Sequence, residues 1–520
     1  MRIQMFVGLF LFLRLVSAVA VYTLEEVQDQ IESYRQQNTN GLTSRSVPLG
    51  CWLLCGFLGF TLPNQLAYPN TTIYEFEESR YWSQQQALTN PACRFSPTSP
   101  AQVSLAVLGS RVTQCKFAVK SGGHAAFAGA SNIDGGLTID LRNLNEITLS
   151  ADKTQTSVGP GNVWYDVYSK LERENLTVIG GRVSAIGVGG LTLGGGISFF
   201  SSRYGWACDN VNAYEVVFAD GSINSVTPSS YPDLYWALRG GGNNFGIVTR
   251  FDLATYPQGD LWAGSQTFLY NNQTALQINN AFYYLGINAP SDPYAQVILA
   301  YAYAQTEGVY VIASDLQYGK PEPNPPILQN FTSVPGAVAD TLRIATLTNL
   351  TEEFNNTNPG GFRQTYWTFT VGNDVSLMTK MIDIYMDEVD KVKDAAGIVP
   401  STIFQLITTD MTSHFTRNGG NALGLAGQGP LNLVNIDISW SKESDDKRII
   451  AAAQNIVNRS VAAAKAEGLF NEYLYQNYAA LQQDVLPSYG ATNYAKLKAV
   501  SKKYDPSGVW QKLQPGYFKL

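Results

Sequence analysis

The 520-residue sequence predicts an α+β protein of more than one domain, and three observations carry that prediction. The chain is longer than a single hydrophobic core usually supports. Glycine is distributed unevenly, with 21 of the 46 glycines inside residues 121–246. Beyond about residue 259 glycine thins out, and aromatic-rich strand patterns alternate with long helical ones. The expected architecture is a glycine-rich mixed α+β domain followed by an antiparallel sheet backed by helices.

The elements follow in order. Leu24, Val27, Ile31 and Tyr34 recur at helical spacing. Residues 51–60, CWLLCGFLGF, also have helical character. In the glycine-rich region, 156–158 reads as a strand, 162–174 as a helix and 176–179 as a strand. Residues 211–219 and 222–226 flank Asp220-Gly221, a hairpin signal. Residues 233–238 begin a helix that dissolves into three glycines, and 245–255 reads as a strand. Strands are expected at 296–304 and 433–440. In the latter, Ile436, Ile438 and Trp440 alternate with Asp437 and Ser439, predicting one buried face and one wet face. Helical patterns cover 375–396, 448–467 and 493–504, the last stopped by Tyr504-Asp505-Pro506.

Apolar residues make up 45% and charged residues 15%, with a net charge of −7. That balance suits a well-buried globular protein and lacks the cationic surface a nucleic-acid partner requires. Residues 1–20 read as an export signal: Arg2, an apolar run over 5–13, then Ala18-Val19-Ala20. The run stops at Arg14, short of the roughly 20 residues a membrane span needs, so no stable anchor is expected. Seven Asn-x-Ser/Thr sequons, at Asn70, Asn175, Asn272, Asn330, Asn349, Asn355 and Asn458, agree with a secreted, N-glycosylated chain. On a helix Cys51 and Cys55 sit too far apart to bond each other. Each is expected to pair with Cys93 or Cys115, in either connectivity, leaving Cys208 as a buried thiol.

The residues exclude several chemistries. Only two histidines, His124 and His414, and no Cys-x-x-Cys pair are present, so no metal site is expected. No G-x-S-x-G elbow, G-x-G-x-x-G fingerprint or Walker loop occurs. The Ser121-Gly122-Gly123-His124 run can instead expose successive backbone N–H groups as an anion-binding nest. Between Ile186 and Ile197, apolar residues interleave with glycines, which suits a flat ligand ring lying on the backbone.

Val119-Lys120-Ser121-Gly122-Gly123-His124, Ser157-Val158-Gly159-Pro160-Gly161, Gly187-Val188-Gly189-Gly190 and Gly194-Gly195-Gly196 together resemble the FAD-binding domain of the vanillyl-alcohol oxidase superfamily. Tyr475-Gln476-Asn477-Tyr478, Asn493-Tyr494 and Tyr504-Asp505-Pro506 narrow the resemblance to its berberine bridge enzyme-like branch, in particular the fungal secreted members. The resemblance runs from about residue 80 to the C-terminus, although residues 259–470 match only in texture.

It implies a two-lobed FAD-binding domain with an antiparallel-sheet substrate domain over the flavin. The implied boundaries are a signal peptide at 1–20, an N-terminal extension at 21–84, FAD-binding residues 85–258, substrate-domain residues 259–472 and a closing segment at 473–520. His124 would bond the flavin covalently, and Ser121, Gly122, Gly123 and Gly129 would contact the pyrophosphate. Gly187, Gly190, Gly195 and Ser198 would line the ring and ribityl chain, Ile247 and Val248 would lie near the adenine, and Asn493 would complete the cofactor set.

Tyr478, and after it Tyr475, are the implied proton acceptors for hydride loss from a small-molecule substrate. Read as a strict strand, the segment would point these two tyrosines to opposite faces unless a bulge intervenes. Val183 stands where bicovalent members carry a second, cysteinyl link, so His124 is expected to be the single attachment. Ile186 stands where oxygen access is controlled in the family, in place of the slimmer valine that favours oxidase behaviour. The expected activity is an oxidase acting on a secondary metabolite, with dioxygen as acceptor. The alternatives are a carbohydrate oxidase, a dehydrogenase with another acceptor, or a non-catalytic flavin-retaining protein.

Overall fold

The computed structural model describes residues 22–38 and 47–520. The expected signal peptide at 1–20 lies outside the described residues. The first sheet has four strands in the order Leu66–Ala67, Cys93–Phe95, Leu137–Asp140, Phe117–Lys120, with the last three parallel. Parallel neighbours need a crossover. Helix Pro100–Thr113 lies between the strands in sequence, opened by the Ser99 side chain, which accepts from the Gln102 N–H, and by Pro100 in its first turn. Helix Leu49–Thr61 packs on it and carries both Cys51 and Cys55 on buried positions. Cys51 is bonded to Cys115 and Cys55 to Cys93, which selects one of the two expected connectivities. Cys208 is a buried free thiol, as expected.

The second sheet has six strands arranged around Ile247–Pro257, which pairs antiparallel with Gln155–Val158, Leu176–Val178 and Val211–Val217. The expected hairpin forms between Val211–Val217 and Ile223–Val226. The helix expected over 162–174 is shorter, Trp164–Leu171, and tightens into a single 3₁₀ turn at Glu172–Glu174. Trp164 is fully buried against Gly180, where a Cβ would meet its ring at 2.1 Å, so only glycine admits the indole.

The third sheet has nine antiparallel strands, including Leu261–Leu269, Val309–Tyr318, Ala295–Ala304, Val399–Ile407, Leu431–Trp440 and Arg363–Gly372 side by side. Helices Asn272–Asn288, Val375–Val389 and Asp446–Ala466 share its core through Ile278, Met381 and Ile456, against Ile436, Ile438 and Trp440 of the sheet. The helix expected over 375–396 ends at Val389 and continues as turns. The other face corrects the sequence reading. Of the two residues expected on the wet face, Asp437 lines a cavity, together with Asn435, because the glycine-rich half of the molecule covers this side of the sheet; Ser439 does not line it and is half-buried. Polar alternation alone cannot tell solvent from an interior void.

Helix Ala491–Tyr504 then leads the chain back to the first sheet. The Phe117 N–H donates to the Leu513 carbonyl at 2.7 Å, and fully buried Trp510 packs edge-on against Phe117. Among the described residues, no helix is long and apolar enough to cross a membrane.

Candidate functional site

Strands Phe117–Lys120 and Leu137–Asp140 run in parallel register and deliver the 121–124 loop at their ends. Beneath it, Asp140 accepts from Arg94 at 2.5 Å and Lys120 at 3.3 Å, while Arg94 also reaches Glu78 at 2.5 Å. Two buried cations and two buried carboxylates compensate one another, which fixes the floor of the loop. Ser121 Oγ donates to the Pro160 carbonyl at 2.5 Å and accepts from the Gly189 N–H at 3.1 Å. Gly123 adopts φ +72°, in the left-handed region. Three motifs far apart in sequence are thereby stitched into one wall.

His124 is stacked on Trp82, with ring centroids 4.3 Å apart and planes at 11°. Its Nε2 is buried without a hydrogen-bond partner. Burial lowers the imidazole pKa to about 4, so the ring is neutral at physiological pH and keeps a free lone pair.

These residues open on a cavity of about 630 Å³, within the range of ligand sites. Ser121, Gly122, Gly123, His124, Gly187 and Gly190 line one wall. Ile247 and Val248 line a second region, and Tyr475 and Tyr478 a third. Four other nominated residues do not line it. Gly195 packs on Trp206, and Ser198 sits behind the wall, where its N–H donates to Ser201 Oγ. Asn493 donates to the Ala422 carbonyl, and Gly129 lines a separate, shallower cavity. His414 lies outside the main cavity too, its Nε2 3.3 Å from the Ser202 carbonyl.

The tyrosine segment is not a strand. A 3₁₀ turn at Gln476–Tyr478 lets both tyrosines reach the same cavity, their rings edge to face at 4.8 Å. Their oxygens differ in environment. Tyr475 Oη accepts from the Gly196 and Ile197 N–H groups at 3.2 and 3.1 Å and from Asn477 at 3.0 Å, and burial raises its pKa. It is a strut under the glycine segment. Tyr478 Oη accepts from Arg182 Nη2 at 2.8 Å and lies 3.4 Å from Gln405 Oε1.

Trp82, Arg182, Tyr366, Gln405 and Asp437 were not singled out by the sequence motifs as site residues. Asp437 faces its cross-strand neighbour Tyr366. Burial pushes its carboxyl up to about 7, opposed by a smaller pull from the Tyr366 hydroxyl. Tyr366 in turn stands edge-on to Tyr478 at 5.9 Å. Arg182 had one available signal: a charged residue inside the apolar, glycine-bounded segment that also holds Val183.

A cavity with a main-chain glycine wall, a neutral buried histidine and an aromatic, hydrogen-bonding far side suits a large phosphate-bearing cofactor. The comparisons narrow this. The FAD binding domain family matches residues 91–227. The FAD-dependent monooxygenase tpcD of Cochliobolus heterostrophus is 38% identical over 486 residues, covering 90% of this chain and 93% of its own. The FAD-dependent monooxygenase FUP4 of Fusarium proliferatum is 39% identical over 453 residues, covering 85% and 87%. Among solved structures, 6-hydroxy-D-nicotine oxidase from Arthrobacter nicotinovorans superposes with TM-score 0.73 at 18% identity, covering 86% of this chain and 96% of its own. Physcomitrella patens BBE-like 1 gives 0.69 at 21% identity, covering 86% and 95%.

The chain belongs to the family of these fungal FAD-dependent monooxygenases, and it shares the fold of 6-hydroxy-D-nicotine oxidase and the BBE-like protein. The residues present fit the cofactor: the orphaned His124 Nε2 is a nucleophilic nitrogen, and Gly122 and Gly187 approach so closely that a Cβ on either would force the two segments of the wall apart.

Proposed function

We propose that this chain is a secreted oxidoreductase that carries FAD on a single covalent link to His124 and oxidises a small, largely apolar secondary metabolite at an alcohol or other activated C–H. When bound, the flavin supplies a two-electron acceptor for the substrate hydride. Tyr478, once its own proton has left to solvent, takes the heteroatom proton, for which its oxygen is suited because it is not tied to backbone as that of Tyr475 is. This contrast between the two tyrosines carries the proposal. Tyr475 holds the glycine segment, and Trp82 holds the His124 ring in one orientation. Val183 lines the cavity and offers no second attachment. Ile186, also on the wall, narrows the approach of dioxygen, the proposed final acceptor.

The sheet face presents Ile298, Ala300, Ala302 and Ile403 to the cavity, which favours an apolar substrate over a sugar. Secretion is supported by the two disulfides and by six exposed sequon asparagines, Asn355 being half-buried.

The test uses purified holoenzyme. Acid-denatured protein should stay yellow, with flavin mass on the peptide bearing His124, and His124→Ala should lose that label. Tyr478→Phe should keep the flavin but slow its anaerobic reduction by roughly 10²–10⁴-fold. Flavin released entirely on denaturation removes the covalent link, and unchanged reduction removes Tyr478.

A further inference from the structure

Arg182 is the cation at the substrate end of the cavity. It is 8% exposed, yet no carboxylate lies within 4 Å of it among the described residues. Other deeply buried arginines in this molecule are matched: Arg94 by Glu78 and Asp140, Arg239 by Asp209, Arg363 by Asp446. Arg182 spends only Nη2, donating to the oxygens of Gln405 and Tyr478, both neutral while Tyr478 holds its proton. Its Nε and Nη1 donate to no described protein atom, although the side chain lines the cavity.

Guanidinium carries five N–H donors in a planar fork. The protein leaves three of them unspent, one on Nε and two on Nη1. A buried charge without a counterion is strongly unfavourable, so such a group is normally completed by a ligand. The nearest acid along the sheet does not complete it. Asp315 is two strands from Gln405 through Ile298 and beyond 4 Å of the guanidinium; burial drives it toward neutrality, against smaller downward pulls from the Ser265 hydroxyl and the Arg182 charge. Glu353 is taken by Arg343 at 2.5 Å. Asp437 is directed to Tyr366.

We propose that Arg182 selects an organic anion, a carboxylate or an enolised 1,3-dicarbonyl, seated over the small residues Ala300, Ala302 and Ser401. The small-residue floor holds the carbon frame, and the unspent guanidinium N–H groups hold the charged end beside Tyr478. This rests on the substrate end of the cavity lying next to Tyr478, and it deepens that reading by naming what the substrate carries.

The test is equilibrium binding to oxidised holoenzyme, read from the flavin absorbance spectrum, so it needs no turnover. Probes are benzoate and the enol-forming 1,3-cyclohexanedione, each at a pH where it is ionised, against neutral benzamide and cyclohexanone. At least one anion should bind roughly tenfold or more tightly than its neutral partner, and which one does identifies the source of the charge. Arg182→Gln should weaken the preferred anion by about 10–100-fold while changing benzamide by less than about threefold, and Arg182→Lys should restore part of the loss. Flavin content and melting temperature of each variant control for folding; should Arg182→Gln fail to load flavin, the wild-type anion-to-neutral ratio and Arg182→Lys still decide. Equal binding of anions and neutrals, or equal loss of both in the variants, overturns the proposal. Neither result depends on whether Tyr478 is the base, which the reduction experiment tests separately.

Discussion

Gly122 and Gly187 meet so closely that a Cβ on Gly122 would lie 2.5 Å from the Gly187 nitrogen. No real Cβ occupies such a gap, so the two walls must separate. Gly122→Ala should therefore lower the flavin-to-protein absorbance ratio and destabilise by about 1–3 kcal/mol, as overpacking does. Unaltered flavin content and melting would show that the wall relaxes freely. Asp437 gives a second residue-scale prediction, with a defined sign. Its folded value near 7 stands above the unfolded carboxylate value of about 4. The stability it contributes is present below about pH 4 and is lost as pH rises through 7. Asp315 has the same sign, and His124 the opposite one, losing its contribution as pH falls from 6.5 toward 4. Both persist in Asp437→Asn, so the difference isolates one group. Wild-type melting temperature should fall more steeply than that of the variant between pH 5 and 8, and parallel curves would refute this. At this scale His124 and Tyr478 are legible because short ordered motifs surround them. Arg182 and Asp437 are not, since their neighbours are distant in sequence, 223 and 296 residues away for Arg182 and 71 for the Asp437–Tyr366 pair.

Local periodicity carried most elements, and it failed where tertiary packing chose the conformation. The Tyr475–Tyr478 stretch has strand composition, yet it turns because Gln476 is buried behind it and Tyr475 must reach the Gly196 and Ile197 amides. The glycine run at 188–193 folds into a short helix, Val188–Leu193, against helix propensity, held by Ser121 and by packing of Val188 in the core. Helix Leu49–Thr61, by contrast, was readable, and its i, i+4 geometry dictated that its two cysteines bond elsewhere. Non-reducing peptide mapping should find Cys51 with Cys115 and Cys55 with Cys93. A Cys51–Cys55 peptide would contradict the helix itself. Replacing either pair by serine should cost about 2–5 kcal/mol. The longer closure, 64 residues against 38, should cost about 0.5 kcal/mol more in the chain-entropy picture.

At the scale of the whole molecule, the sequence divides into consecutive segments more cleanly than the cores do. The core that holds Trp164 and Val188 also takes Leu261, Ile407 and Leu433 from the antiparallel sheet, and Phe518 from the tail. The core under the disulfides takes Trp510 and Leu513. Such closure is invisible to periodicity, because nothing in a window of 20 residues records which distant surface it covers. The tail's position argues for a structural part in the cofactor site. Gln514 and Tyr517 line the main cavity, and Gly516 lies so near the Gly129 carbonyl that a Cβ would stand 1.9 Å from it. Asn243 donates to the Gly516 carbonyl at 3.2 Å, and Asn244 to that of Phe518 at 3.0 Å. Deleting residues 506–520 would strip one side of the cavity, expose the Phe117 edge of the first sheet and uncover the pocket that Trp510 fills. Loss of that one tryptophan alone is worth about 3–5 kcal/mol, a large part of the stability of a typical domain. The truncated chain should therefore fail to accumulate as yellow, protease-resistant protein under conditions where the full chain does. Recovery of a truncated form with full flavin content and unchanged melting would separate the tail from the cofactor domain and refute its closing role.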